Sequence, residues 1–264
     1  MKYRLLIYFL ISSKLIGWSQ PVSGIITYKQ LANYDRFDTV KMYFNQENSF
    51  YVSNRGEKQK INKLANGEIL NTSDPKIFAE QTANHKMIYR YFIDEEGDIV
   101  YKNWGKNKLI FRLVLEHEPI IVEEPELPKL EWILGNEFKK IGNFNCQMAQ
   151  TQFRGRKYIA WFTPEIPVPT GPWKLHGLPG LILEAYDETE TFRYFFQSIE
   201  MPLKNTEELT KLPKKGDRVP FAAYMQTVKD RKEDRDRRAA SKAAQRGTQL
   251  TFYLDPNYKE QEIY

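Results

Sequence analysis

The sequence predicts a mainly β protein: an antiparallel sheet with one charged C-terminal helix. Three observations predict it. The chain holds sixteen Tyr, sixteen Phe and five Trp, and its first half is a series of short Ile-, Val- and aromatic-rich runs between polar turns. Flat and β-branched side chains suit a pleated, half-buried surface. Two later segments read as tight hairpins, and residues 220–246 carry helix formers with no internal Gly or Pro.

The strand runs come first. "GIITY" at 24–28, "SFYVS" at 49–53, "KMIYRYFI" at 86–93, "DIVY" at 98–101 and "LIFRLVL" at 109–115 are each strand-length. "DEEGD" at 94–98 reads as a hairpin turn, and 54–68 as a long polar loop. Residues 116–132 carry three prolines and six Glu. Proline lacks a backbone donor, so this segment is no central strand; it is an edge passage or a link between two halves.

The first tight hairpin is "CQMAQTQF", "RGR", "KYIAWFT" over 146–163. Arg154-Gly155-Arg156 supplies the turn, with Gly155 free to take positive φ. Tyr158, Ala160 and Phe162 share one face, and Lys157, Ile159, Trp161 and Thr163 the other. A strand apolar on both sides is covered on both sides. "PEIPVPTGP" at 164–172 has four prolines and must be an extended or turning loop. Residues 178–181 fit a type II turn, with Pro179 presetting φ and Gly180 accepting positive φ. Gly177 permits close backbone approach just before it. The turn launches "LILEAYD" at 181–187, which forms the second hairpin with 192–199 across "ETET".

In the C-terminal segment, Glu233–Arg237 and Asp234–Arg238 pair acid with base at i,i+4. Phe221, Tyr224 and Val228 fall on one face for packing on the sheet. Gly247 is a C-cap candidate, and 250–255 reads as one last strand. Between 227 and 246, eight basic residues face four acidic ones, the pattern of a solvated helix face.

The N-terminus has an export pattern. Lys2 and Arg4 precede the apolar run "LLIYFLI", and Gly17 and Ser19 fit a signal-peptidase site before Gln20. Lys14 interrupts the pattern. Residues 1–19 are therefore expected to leave as a signal peptide, and 20–264 to form a single β-rich domain. Losing Lys2, Arg4 and Lys14 lowers the net charge from +5 to about +2. The high pI thus gives no support for nucleic-acid binding. No second long apolar run follows, so the mature chain is not an integral helical membrane protein. One cysteine allows no internal disulfide framework. The expected location is periplasmic or secreted.

Chemistry is sparse. His85, His117 and His176 show no metal-ligand spacing, and no Cys-rich zinc motif, G-x-S-x-G elbow or phosphate loop occurs. No cofactor or metal is expected. Cys146 with His176 is the one candidate pair for nucleophilic catalysis, against a buried thiol and a histidine bonded across a turn. Tyr158, Trp161 and Trp173, with Arg154 and Arg156, are the binding candidates, as an exposed aromatic platform for a sugar or peptide strand. The alternative is that these rings are core. Gly177, Pro179 and Gly180 are expected to be structural.

An ordered set of residues carries a resemblance. Trp132, "KKIG" at 139–142, Cys146 with Gln147 and Ala149, "FRGRKYIAWFTPEIP" at 153–167 and "GPWKLHGLPGLIL" at 171–183 resemble the GLPGLI family, exported proteins of Bacteroidota. The resemblance is dense over about 130–186. It implies an envelope location and a sheet curved into an open bowl or half-barrel, loosely similar to a non-catalytic β domain of a secreted peptide N-glycosidase. It implies no known activity. It suggests a role accessory to a TonB-dependent outer-membrane receptor. The expected function is a non-enzymatic envelope protein binding a partner protein, peptide or glycan. The alternatives are a hydrolase using Cys146 and His176, and a periplasmic metal-binding protein built from the three histidines.

Overall fold

The computed structural model describes residues 22–32, 36–53, 58–61, 77–81, 88–115 and 118–245. The export segment, His85, His117, Gly247 and the strand expected at 250–255 lie outside the described residues. The first half of the chain contains β1 (Gly24–Ala32), β2 (Arg36–Phe44), β3 (Asn48–Ser53), β4 (Lys58–Ile61), β5 (Ile77–Gln81), β6 (Ile88–Ile93), β7 (Asp98–Asn103), β8 (Lys108–Leu115) and β9 (Glu118–Glu123). The second half contains β10 (Ile133–Ile141), β11 (Phe144–Phe153), β12 (Arg156–Thr163), β13 (Leu181–Asp187), β14 (Phe192–Glu200), α1 (Glu207–Thr210), β15 (Asp217–Pro220) and α2 (Phe221–Gln245).

Twelve strands form one open sheet in the order β10-β11-β12-β13-β14-β1-β2-β3-β7-β8-β9-β15, and β4-β6-β5 form a separate small sheet. Among the described residues, all pairings are antiparallel except β15 with β9. Two meanders, β1 to β9 and β10 to β14, are stitched together by the β1–β14 pair. Connectivity requires the curvature. From β9 to β10 the flat sheet would measure ten strand spacings, about 48 Å. The link from Glu123 to Ile133 has ten Cα steps and spans about 35 Å at most. The sheet must curl for the two ends to be joined; of the segment 116–132, read as an edge passage or a link, residues 124–132 make that connection.

Both tight hairpins form. Arg154 and Gly155 alone make the first turn, at φ 50° and 71°, while Arg156 already pairs with Phe153. Positive φ at both central residues matches the right-handed twist of the flanking strands. "DEEGD" is not a hairpin turn: β6 and β7 belong to different sheets. Asp94 is instead drawn to the buried Arg112, whose Nη1 and Nη2 donate to its carboxylate at 2.7 and 2.9 Å. The proline-rich segment supplies β9, one strand in from the edge. Pro119 sits opposite Val114, before the parallel pairing with β15 begins at Ile120, so no ladder donor is missed.

The core lies on the concave face, where Tyr28, Val40, Met42, Leu109, Phe111 and Val122 meet the loop 164–180. Ile166, Val168, Leu175 and Leu178 of that loop are all buried. The bowl is therefore open along its edges but filled inside. Phe50, Val52, Ile99, Tyr101 and Ile110 form a second cluster under Leu209 of α1. α2 docks by its first turns, with Tyr224 edge-on to Phe111 at 5.0 Å and Val228 buried. Arg237 pairs with Asp234 one turn back, at i,i+3 rather than the expected i,i+4.

Candidate functional site

Four prolines leave the loop 164–172 without a ladder, so its backbone groups need other partners. Val168 N–H and Thr170 N–H each donate two residues back, to Ile166 and Val168. Gly177 N–H donates to the Pro169 carbonyl, and Trp132 Nε1 donates to the His176 carbonyl at 2.7 Å. The largest contribution comes from Lys102 on β7, which is fully buried. Its Nζ donates to the carbonyls of Gly171, Trp173 and Leu175 at 2.7, 2.8 and 2.9 Å. Burial pushes the Lys102 pKa well below the usual range, while three acceptor carbonyls favour the ammonium. Trp173 is held at φ 51° within this cage, a backbone conformation that side chains other than glycine adopt only under constraint.

The roles expected of the two glycines are exchanged. Gly177 takes the positive φ, at 90°, and a Cβ there would meet only Trp132 at 3.8 Å. Gly180 is not at positive φ. A Cβ on it would lie 2.1 Å from the Thr163 carbonyl oxygen, so Gly180 is the position of close approach. Gly180 N–H donates to Leu178 O at 2.8 Å, a three-residue turn about Pro179 in place of a type II turn. Proline's fixed φ suits the centre of such a turn.

The arginines are not free to bind ligand. Arg156 Nη1 donates to Asp187 at 2.7 Å, with both side chains buried. Glu124, also buried, accepts from Arg154 at 2.5 Å and from Lys174 at 2.9 Å. Glu124 lies just past β9 and Arg154 on the β11–β12 turn, so this triad ties the two halves together. Lys174 Nζ also sits 3.6 Å from the Phe111 ring centroid. The expected exposed platform does not form. Tyr158 is fully buried, and Trp161 and Trp173 are each 8% exposed. Trp173 of the 164–180 loop folds against Tyr158, with ring centroids 6.1 Å apart, while Trp161, on the other face of β12, lies under Lys139, whose Nζ is 4.4 Å from its ring centroid.

Cys146 and His176 do not form a pair. Cys146, on β11, is buried, and its Sγ approaches the Phe144 carbonyl. Burial, with Glu184 nearby, pushes the thiol up to about 11, so it stays protonated near neutrality. His176 Nδ1 meets the Lys174 carbonyl at 3.1 Å. A carbonyl only accepts, so Nδ1 carries the proton. Burial first, then the Lys102 charge, lowers His176 to about 3. A protonated thiol and so weak a base do not make a nucleophile–base couple.

A cleft remains on the concave side. This cavity of ≈ 340 Å³ lies between the sheet and α2. Gln30, Tyr51, Ser53, Asp98 and Phe111 line it from the strands, Trp173 and Lys174 from the loop, and Tyr224, Val228 and Arg231 from α2. Tyr51 donates its hydroxyl to Gln30 Oε1 at 2.7 Å. The Lys102 cage and the Glu124 triad thus position Trp173 and Lys174 at a ligand-sized opening. Of the residues lining the cleft, the sequence pointed only to Trp173 as a binding group. The available signal was parity: Lys102 shares the inward face of its strand with Val100, where a lysine needs a partner.

A family model described as "Protein of unknown function (Porph_ging)" matches residues 151–184. That stretch runs from the end of β11 through β12 and the loop into β13. No curated protein matches the chain. Among solved structures, two crystal forms of PNGF-II align with 78% of this chain at 15% identity and TM-score 0.48. The chain spans 32% of the length of those proteins. An uncharacterized conserved protein from Thermus thermophilus aligns over 77% of this chain and 91% of its own, at 9% identity and TM-score 0.37. Over residues 151–184 the chain is similar to a family of unknown function, and this similarity falls on the loop that fills the bowl.

Proposed function

We propose that the protein is an exported, non-enzymatic cell-envelope protein that binds a short glycan in the cleft beneath α2. The cleft is the observation that carries this. Its ≈ 340 Å³ falls at the lower end of small-molecule sites, about 300–1,000 Å³. Phe111, Trp173 and Tyr224 offer ring surface, and Gln30, Ser53, Asp98 and Arg231 offer donors and acceptors suited to sugar hydroxyls. The export pattern and the GLPGLI resemblance support an envelope location. Presentation of the glycan to a TonB-dependent receptor is the setting the resemblance suggests. The hydrolase alternative loses support from the buried thiol and the separately bonded His176.

Titration calorimetry of the purified protein against mono- and disaccharides, with short peptides alongside, tests the proposal. The expected result is saturable sugar binding. Gln30→Ala and Arg231→Ala should each weaken it about tenfold, about 1.4 kcal/mol, and Arg231→Ala, at an exposed position, should leave the melting temperature unchanged. Binding of peptides but no sugar would replace the ligand class. No binding of either would remove the cleft as a site.

A further inference from the structure

β10 is an edge of the twelve-stranded sheet, with no strand on its outer side among the described residues. It carries Ile133, Leu134 and Phe138, exposed at 76%, 51% and 70%, three of the five exposed large hydrophobic side chains among the described residues. Such an edge presents unpaired N–H and C=O groups, and apolar side chains along it invite another strand. The two residues Gly142 and Asn143, with Gly142 at φ 57°, connect β10 to β11. In a two-residue hairpin the closing pair, here Ile141 and Phe144, exchanges backbone hydrogen bonds, and bonded and non-bonded pairs alternate from there. Ile141 and Lys139 therefore turn their peptide groups toward β11. Phe138 and Lys140 turn theirs to the outer edge.

We propose that β10 pairs with β10 of a second copy of this chain, antiparallel about a two-fold axis at Phe138. Phe138 then faces Phe138 of the other copy, and their outward peptide groups exchange two hydrogen bonds. Glu137 faces Lys139 of the other copy, and Lys139 faces its Glu137. Sliding by one hydrogen-bonded step in either direction sets Lys139 against Lys139 or Glu137 against Glu137, and like charges directly opposite destabilise a pair. Charge complementarity therefore selects one register. Within one copy, Lys139 reaches inward across the sheet to Glu184 of β13, at 2.5 Å, over the Trp161 ring at 4.4 Å from its centroid, so pairing with Glu137 of the other copy requires its side chain to turn outward. The bulge between Leu134 and Phe138 leaves Ile133 and Leu134 as an apolar flank toward the hairpin end of the other copy.

Sedimentation velocity over a broad concentration range, with circular dichroism to verify folding, tests this. The protein should sediment as a dimer. Glu137→Lys and Lys139→Glu should each weaken dimerisation at least about tenfold, about 1.4 kcal/mol. Mixing those two variants should form a heterodimer, because each contact then again joins opposite charges. A monomeric parent protein, a Glu137→Lys variant that dimerises as the parent does, or a mixture that stays monomeric would each overturn the proposal. Capture of a different protein on β10 of a monomeric parent would do the same.

Discussion

Lys102 Nζ donates to the Trp173 carbonyl at 2.8 Å, from a strand in the first half of the chain to the loop that fills the bowl. With the carbonyls of Gly171 and Leu175, this contact fixes the loop and sets Trp173 at the cleft. Lys102→Met keeps the volume but leaves three buried acceptors unpaired. It should cost about 3 kcal/mol or more, read as a lower urea midpoint. A variant as stable as the parent would show that the cage does not hold the loop.

Gly180→Ala should destabilise more than Gly177→Ala. The first drives a Cβ into the Thr163 backbone, an overpacking with no flexible atom to yield, costing about 3 kcal/mol. The second strains only φ, at about 1 kcal/mol. Denaturation midpoints measured side by side decide the order, and the reverse order would restore the type II turn.

Glu124→Gln should cost about 3–5 kcal/mol, because it leaves the buried Lys174 and the half-buried Arg154 without their shared carboxylate. The double variant Glu124→Gln, Lys174→Met should recover part of the loss. Thermal unfolding of both variants checks this, and additive losses would contradict a shared network.

Stability should fall with acid in a way that depends on His176. Its folded pKa is about 3 against 6.5 for the free side chain. The folded state binds fewer protons between those values, so this contribution is complete above pH 6.5 and is lost as pH drops toward 3. The slope from this one group is at most about 1.4 kcal/mol per pH unit. His176→Gln should flatten the curve of unfolding free energy against pH in that window. An unchanged slope would place His176 in contact with solvent.

Local structure was legible because its signals are local. The two hairpins follow from Arg154-Gly155 and the polar 188–191 turn between apolar runs, and α2 from a stretch without breakers. The long-range features were not. The acceptors of Lys102 come 69 to 73 residues later, and nothing around Lys102 announces them. Glycine's two virtues, positive φ and absent Cβ, look alike in sequence, so Gly177 and Gly180 were exchanged. Tyr158 and Trp173 looked like a binding platform because their burial depends on where the proline loop folds, and Trp161 because its cover, Lys139, comes from a neighbouring strand. Asp94 sat in an apparent hairpin turn whose flanking strands belong to different sheets.

The cleft beneath α2 is tested most directly by the indole N–H resonances of the tryptophans during titration with a binding saccharide. Trp173 lines the cleft, whereas Trp104, Trp132 and Trp161 do not. A saturable shift confined to Trp173 is the predicted result. Saccharide binding that shifts another tryptophan and leaves Trp173 unmoved, or no shift with any saccharide, would contradict it.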